Sequence, residues 1–159
     1  MCHQHTEPLS WRSAWFSVPI RVASSQCQQG SRTEGKSAHR NASAVVRARI
    51  AQSQSTFDVA IAEFTKAAAL QDALPYTEPP YWYYPVQSLG AALLQAGRVP
   101  EAEAQFRSAL KQAPANGWSY FGLAQALRAR GDEAGMRQIE SALAKTWVGN
   151  RDLLQLPRL

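Results

Sequence analysis

At 159 residues, with 45% hydrophobic and 18% charged residues, the chain has the length and apolar content of one folded domain. Its net charge of +5 belongs to one end: residues 1–55 hold Arg12, Arg21, Arg32, Lys36, Arg40, Arg47 and Arg49 against Glu7 and Glu34, and the remaining basic and acidic residues balance. The neutral two-thirds give no electrostatic reason to hold nucleic acid. The 2 cysteines are too few for a disulfide framework, and no run of apolar residues is long enough to span a membrane.

Residues 1–40 are rich in Ser, Gln and basic residues and show no helical or alternating period. They predict a basic, disordered segment, with a short helix docked through Trp11 and Trp15 as the alternative. Ala14–Ile20 is apolar but is broken by Ser17 and Pro19 and followed by Arg21. It does not read as a secretory signal, so a cytoplasmic location is expected. Cys2, His3 and His5 are ligand types for zinc or copper. Without a fourth ligand at a defined spacing they predict no metal site, and no cofactor is expected.

Helical composition begins at Ala42. Ser55 with Asp58 reads as a capping box opening a helix to about Gln71, with an apolar stripe of Val59, Ala60, Phe64, Ala67, Ala68 and Leu70. Asp72–Pro85 holds Pro75, Pro79, Pro80 and Pro85, which restrict it to extended and turn conformations. Its aromatics Tyr81, Trp82, Tyr83 and Tyr84 either fill a wedge between helix pairs or form an exposed lip for a peptide. The next helix must start no later than Pro85 and no more than a turn before it, and it runs to Ala96, where Gly97 ends it in the left-handed conformation. Pro100 is placed at the first position of the next helix, with Glu101 and Glu103 as a solvated first turn, and that helix ends before Pro114. Asn116 caps Trp118–Arg130, Gly131 ends it, and Asp132 caps a last helix to about Trp147. The tail Val148–Leu159, with Leu153, Leu154, Leu156 and Leu159, is expected to fold back over the open end of the stack.

Ser88–Gly97 (SLGAALLQAG) and Gly122–Gly131 (GLAQALRARG) repeat one another, Leu89 over Leu123, Gly90 over Ala124, Leu93 over Leu127 and Gly97 over Gly131. The period between them is that of one helix-turn-helix unit stacked on the next. Val86, Leu89, Gly90, Leu93, Gly97, Ala102, Phe106, Ala109 and Pro114 stand at the offsets of the tetratricopeptide pattern, which the chain therefore resembles. Tyr120, Leu123, Ala124, Leu127 and Gly131 repeat its first helix, while Met136, Glu140 and Leu143 depart from its second. Ala60, Phe64 and Ala67 anticipate Ala102, Phe106 and Ala109 at one constant offset, longer than the repeat period, and Arg47 stands where that earlier unit needs Leu. From Ala60 onward the chain resembles the C-terminal end of longer bacterial members.

The resemblance implies an all-α antiparallel helix-pair solenoid, wound as a right-handed superhelix. Its units would cover about 42–72, 83–116 and 117–147, with a tail over 148–159. It places Tyr84, Gln87, Ala91, Leu94 and Gln95, then Trp118, Phe121, Gln125, Arg128 and Ala129, on the concave groove. With Arg128 as the one cation there, a carboxylate clamp is not expected. The surface suits apolar or aromatic side chains of a peptide, Gln87 and Gln125 bonding its backbone. A contact with the neighbouring repeat is the other reading of Trp118 and Phe121.

Residues 43–159 contain neither His nor Cys, which removes the usual general base and the usual strong nucleophile, and no enzyme is expected. The leading expectation is a non-catalytic protein-interaction module binding a peptide or helix. The alternative is a capping piece of a longer array with no ligand site of its own. A weak, non-specific nucleic-acid contact through the basic N-terminus comes third. A missing upstream neighbour would expose the apolar face of Val59–Leu70, and self-association through that face is then expected.

Overall fold

The computed structural model describes residues 39–73 and 85–159. Residues 1–38, with Trp11, Trp15, Cys2, His3 and His5, and residues 74–84, with the Tyr81–Tyr84 cluster, lie outside them. All regular structure among the described residues is helical. It comprises α1 (residues 39–53), α2 (Phe57–Asp72), α3 (Pro85–Gln95), α4 (Val99–Gln112), α5 (Gly117–Arg130) and α6 (Glu133–Thr146). Two 3-10 turns follow at Arg151–Leu153 and Leu156–Arg158. Successive helices pack on one another, α2 on α3, α3 on α4, α4 on α5 and α5 on α6.

One turn is used three times. Gly97 and Gly131, at φ +77° and +83°, end α3 and α5 in the left-handed region. Each is followed by the same pair of bonds: Gly97 N–H to Leu94 O (3.0 Å) with Arg98 N–H to Leu93 O (2.9 Å), and Gly131 N–H to Arg128 O (3.0 Å) with Asp132 N–H to Leu127 O (2.9 Å). Ser55, at φ +59°, does the same work for α1. Its N–H meets Gln52 O at 3.0 Å, and Thr56 N–H meets Ala51 O at 2.9 Å. This corrects the expected capping box. Ser55 terminates α1 instead of opening α2, and Thr56, the residue before α2, turns its hydroxyl back to Ala51 O (2.9 Å).

The first helix of the earliest unit therefore forms despite Arg47. It is already under way ahead of Ala42, with Ser43 Oγ bonded to His39 O (2.9 Å). Ala44, Ala48 and Ala51 supply its buried side. Arg47 points outward to Glu63 at 3.0 Å, so the missing leucine costs packing and not the helix.

Phe106 sets the spacing of the second and third pairs. Its ring is fully buried, and a Cβ on Gly90 would lie 3.0 Å from it. A Cβ on Gly122 would lie 2.2 Å away. The absence of a side chain at both positions lets α3 and α5 close on the ring of α4.

Three further expectations change. Helix α4 begins at Val99, so Pro100 takes its second position, where a missing donor is equally harmless. Glu103 is buried and not solvated: its carboxylate receives Arg107 (2.9 Å) from its own helix and Arg130 (2.7 Å) from the end of α5. The tail folds back, but onto the inner part of the molecule, where its second 3-10 turn packs against α3 and Leu159 is fully buried. At the N-terminal end, Ala60, Ile61, Phe64 and Ala67 of α2 are buried within the molecule. The apolar side chains left open beside Val59 are Val46 (58% exposed) and Ile50 (52%) of α1.

Candidate functional site

Helix α5 carries Trp118, Phe121, Gln125 and Arg128 at spacings of three and four, which puts them on one face. Asn116 fixes the start of that helix, its side-chain oxygen accepting from Ser119 N–H at 3.1 Å. Trp118 and Phe121 are partly buried against the core and partly open. Trp147, just past α6, meets Trp118 edge to face, ring centroids 5.1 Å apart at 81°. The Trp147 ring also lies over Gly117, where a Cβ would come within 2.6 Å of it. Gln125 is half-buried and accepts from Arg128 at 3.4 Å. Arg128 is exposed and committed to Glu140 on α6 at 2.8 Å.

The α3 residues expected beside them lie deeper. Gln87 is buried, its carbonyl oxygen 3.5 Å from Ser119 Oγ of α5, and Ala91 is fully buried. Leu94 is partly buried against the core. Gln95 accepts from Gln52 Nε2 of α1 at 2.6 Å. Ala129 is exposed, and Tyr84 lies outside the described residues. The structure thus brings Trp118, Phe121, Gln125 and Arg128 together on one face, while Gln87 faces α5.

A second cluster sits on α1 and α3. Arg49 Nη2 donates to Ser88 Oγ (3.0 Å) and closely to the Leu159 oxygen. Its Nη1 donates to Pro157 O (3.2 Å) and to Gln52 Oε1 (3.1 Å). Ser88 Oγ itself donates to the Leu159 oxygen at 2.7 Å. The guanidinium rests over the Phe64 ring, 5.4 Å from its centroid. Burial pushes the Arg49 pKa down, since a charged group loses water there. Chemically this is a hydrogen-bonding socket for a backbone oxygen, with an apolar floor that takes in Leu159 and, less deeply, Leu156.

The family model described as Tetratricopeptide repeat matches residues 86–126, from the first turn of α3 through α4 into α5. The chain carries a tetratricopeptide repeat. No curated protein and no solved structure matches it. Such repeats are protein-interaction modules and generally not catalytic. No group of three or more His, Cys, Asp or Glu side chains among the described residues could hold a metal. None of the described helices is long and apolar enough to cross a membrane.

Within the tetratricopeptide frame, Glu140 takes the place that Phe106 holds one repeat earlier. There the carboxylate pairs with Arg128 at 2.8 Å. Arg49 and Ser88 did not emerge from sequence reasoning. The signal was available in the spacing: the offset that carries Ala60 onto Ala102 also carries Ser55 onto Gly97, and it puts Arg49 in register with Ala91, one of the positions that the resemblance implies for the groove.

Proposed function

We propose that this chain binds an extended peptide segment of another protein across the face of α5 and the inner surface beside it. The observation that carries this reading is the half-open pair Trp118 and Phe121 next to Gln125 on a helix whose Leu123, Ala124, Ala126 and Leu127 are buried. Aromatic side chains left partly wet beside an amide suit anchoring of apolar ligand side chains, with the amide bonding the ligand backbone. Arg128, engaged by Glu140, contributes little net charge to that face. The test is selection of binders from a displayed library of random short peptides. Synthetic copies are then titrated by fluorescence anisotropy. Trp118→Ala and Phe121→Ala are each expected to weaken them by about 1 kcal/mol or more, as modest hot spots do, with melting curves unchanged enough to show folded protein. Folded variants that keep full affinity refute the reading.

A second reading, the capping piece of a longer array, draws on Val46 and Ile50. In the register that carries Ser55 onto Gly97 they take the places of Ser88 and Ala92, both of them buried. The first pair therefore leaves open the face that the later pairs fill.

A further inference from the structure

The chain already carries a segment seated in its own socket. Residues 147–159 leave α6, and Leu154 and Leu159 become buried while Val148 (99% exposed) and Leu153 (43%) stay outside. Leu159 is as buried as the core residues Leu123 and Leu127. Yet the tail is not knitted into the helical framework. Its own backbone N–H groups bond within the tail, Leu154 to Arg151 O (2.9 Å), Arg158 to Gln155 O (2.9 Å) and Leu159 to Leu156 O (3.2 Å). What holds it elsewhere is the apolar side chains together with Arg49 and Ser88 on the oxygens of Pro157 and Leu159. Side-chain anchors in a pocket with one arginine on a backbone oxygen are how a peptide ligand is held, and no continuous backbone ladder ties it down.

We infer that Leu154–Leu159 is a built-in competitor for a peptide site formed by Arg49, Ser88 and the apolar surface around them, and that the partner it displaces is a short segment of another protein with the same chemistry, held in the same 3-10 turn as Leu156–Arg158. That chemistry is two leucine-like side chains spaced three apart, with the second residue's backbone oxygen set for a guanidinium and a hydroxyl. The inference rests on the reading of this chain as a peptide binder and names the ligand class for its inner surface. A tail tethered by a short linker acts at an effective concentration on the order of millimolar. The apparent affinity for a free peptide falls by the fraction of molecules whose socket is open.

The probe is the fluorescein-labelled decapeptide NRDLLQLPRL, a copy of residues 150–159. It is titrated against the full chain and against the full chain with Leu156→Ser and Leu159→Ser. The tail-released variant should bind it at least tenfold more tightly than the parent. Adding Arg49→Ala to the released variant should remove that gain. A decapeptide with both of those leucines changed to serine should not bind. A readout on the unaltered chain guards against misfolding of the variant. Hydrogen exchange at the amides of Arg158 and Leu159 should be slower than in the free decapeptide but faster than at Leu93 in α3, and excess decapeptide should accelerate it. Equal affinity of parent and released variant overturns the inference, as does exchange at Leu159 matching that at Leu93, which would make the tail a permanent part of the core. Library-selected peptides that lose affinity on Trp118→Ala and bind parent and released variant alike would leave the proposed function standing while this inference falls. If no selected peptide depends on Trp118 or Phe121, the proposed function itself fails.

Discussion

Gly122→Ala is expected to destabilise the fold, against the direction that helix propensity alone would give. In an exposed helix, alanine in place of glycine gains about 1 kcal/mol. Here the new Cβ would lie 2.2 Å from Phe106 Cε1 and 2.3 Å from Cζ. The ring has little room to retreat, because it is fully buried and already 3.0 Å from where a Cβ on Gly90 would sit. Overpacking of this kind costs about 1–3 kcal/mol, and the 2.2 Å approach puts it toward the upper end, so the net expectation is a loss of up to about 2 kcal/mol after the propensity gain. Gly90→Ala meets the same ring at 3.0 Å and should come out near neutral, whereas Gly90→Leu should be worse than Gly97→Ala. The latter loses only about 1 kcal/mol for forcing a Cβ to left-handed φ. Urea unfolding followed by far-ultraviolet circular dichroism gives the order. Phe106→Leu frees space at the ring edge, so Gly122→Ala should cost less in that background, with a coupling of about 0.5–3 kcal/mol. A stabilised Gly122→Ala, or no coupling to Phe106, would refute the wedging of that ring between α3 and α5.

Ser55→Gly should stabilise the chain by about 0.5–1 kcal/mol, since Ser55 holds φ +59° on an exposed turn where glycine meets no steric penalty; thermal melting reads it. Glu103→Ala should lose about 1 kcal/mol, and less in high salt, because its two arginine partners are half-exposed and water partly replaces the carboxylate; urea unfolding at two ionic strengths decides. Asp132 has its carboxyl held below the ordinary range, first by the Gly135 N–H and then by Arg130. A lowered folded value means its stabilisation is complete above the ordinary carboxylate pKa, about 3.9, and is lost as pH falls through the lowered one. The melting temperatures of the parent and Asp132→Asn should therefore differ at neutral pH and converge in acid, and a gap that widens in acid would be against it.

The second and third helix pairs were legible because their signals are local. A proline near the start of α4 and glycine at φ +77° and +83° are backbone requirements that residue type announces. The first pair was half hidden by Arg47, standing where the pattern needs Leu, and by a substitution of that announcement. Ser55 adopts the conformation of Gly97 without being glycine, and a serine shortly before an aspartate looks like a cap. The two bonds at the turn, and not the side chain, decide which it is. Glu103 was misread for a related reason. Its neighbours along the helix make it a first-turn acid, but Arg130, at the far end of the next helix, closes over it only once α5 has packed on α4.

The tail shows where local reading ends. Leu153, Leu154, Leu156 and Leu159 fit neither a helical nor an alternating period, so nothing in their spacing says which are buried. Two of the four are buried, one is partly buried and one is exposed, and that choice is made by the surface that receives them. That surface has chemistry of its own. An arginine at Arg49, half-buried over Phe64, leaves a guanidinium whose lost water must be replaced by acceptors, and the backbone oxygens of Pro157 and Leu159 supply them. The positions that the resemblance implies for a groove are neutral in α3 and hold one committed cation in α5. Among the described residues, α1 supplies an arginine not committed to an acidic side chain, and so the folded-back segment engages α1 and α3, far in sequence from the helix it leaves.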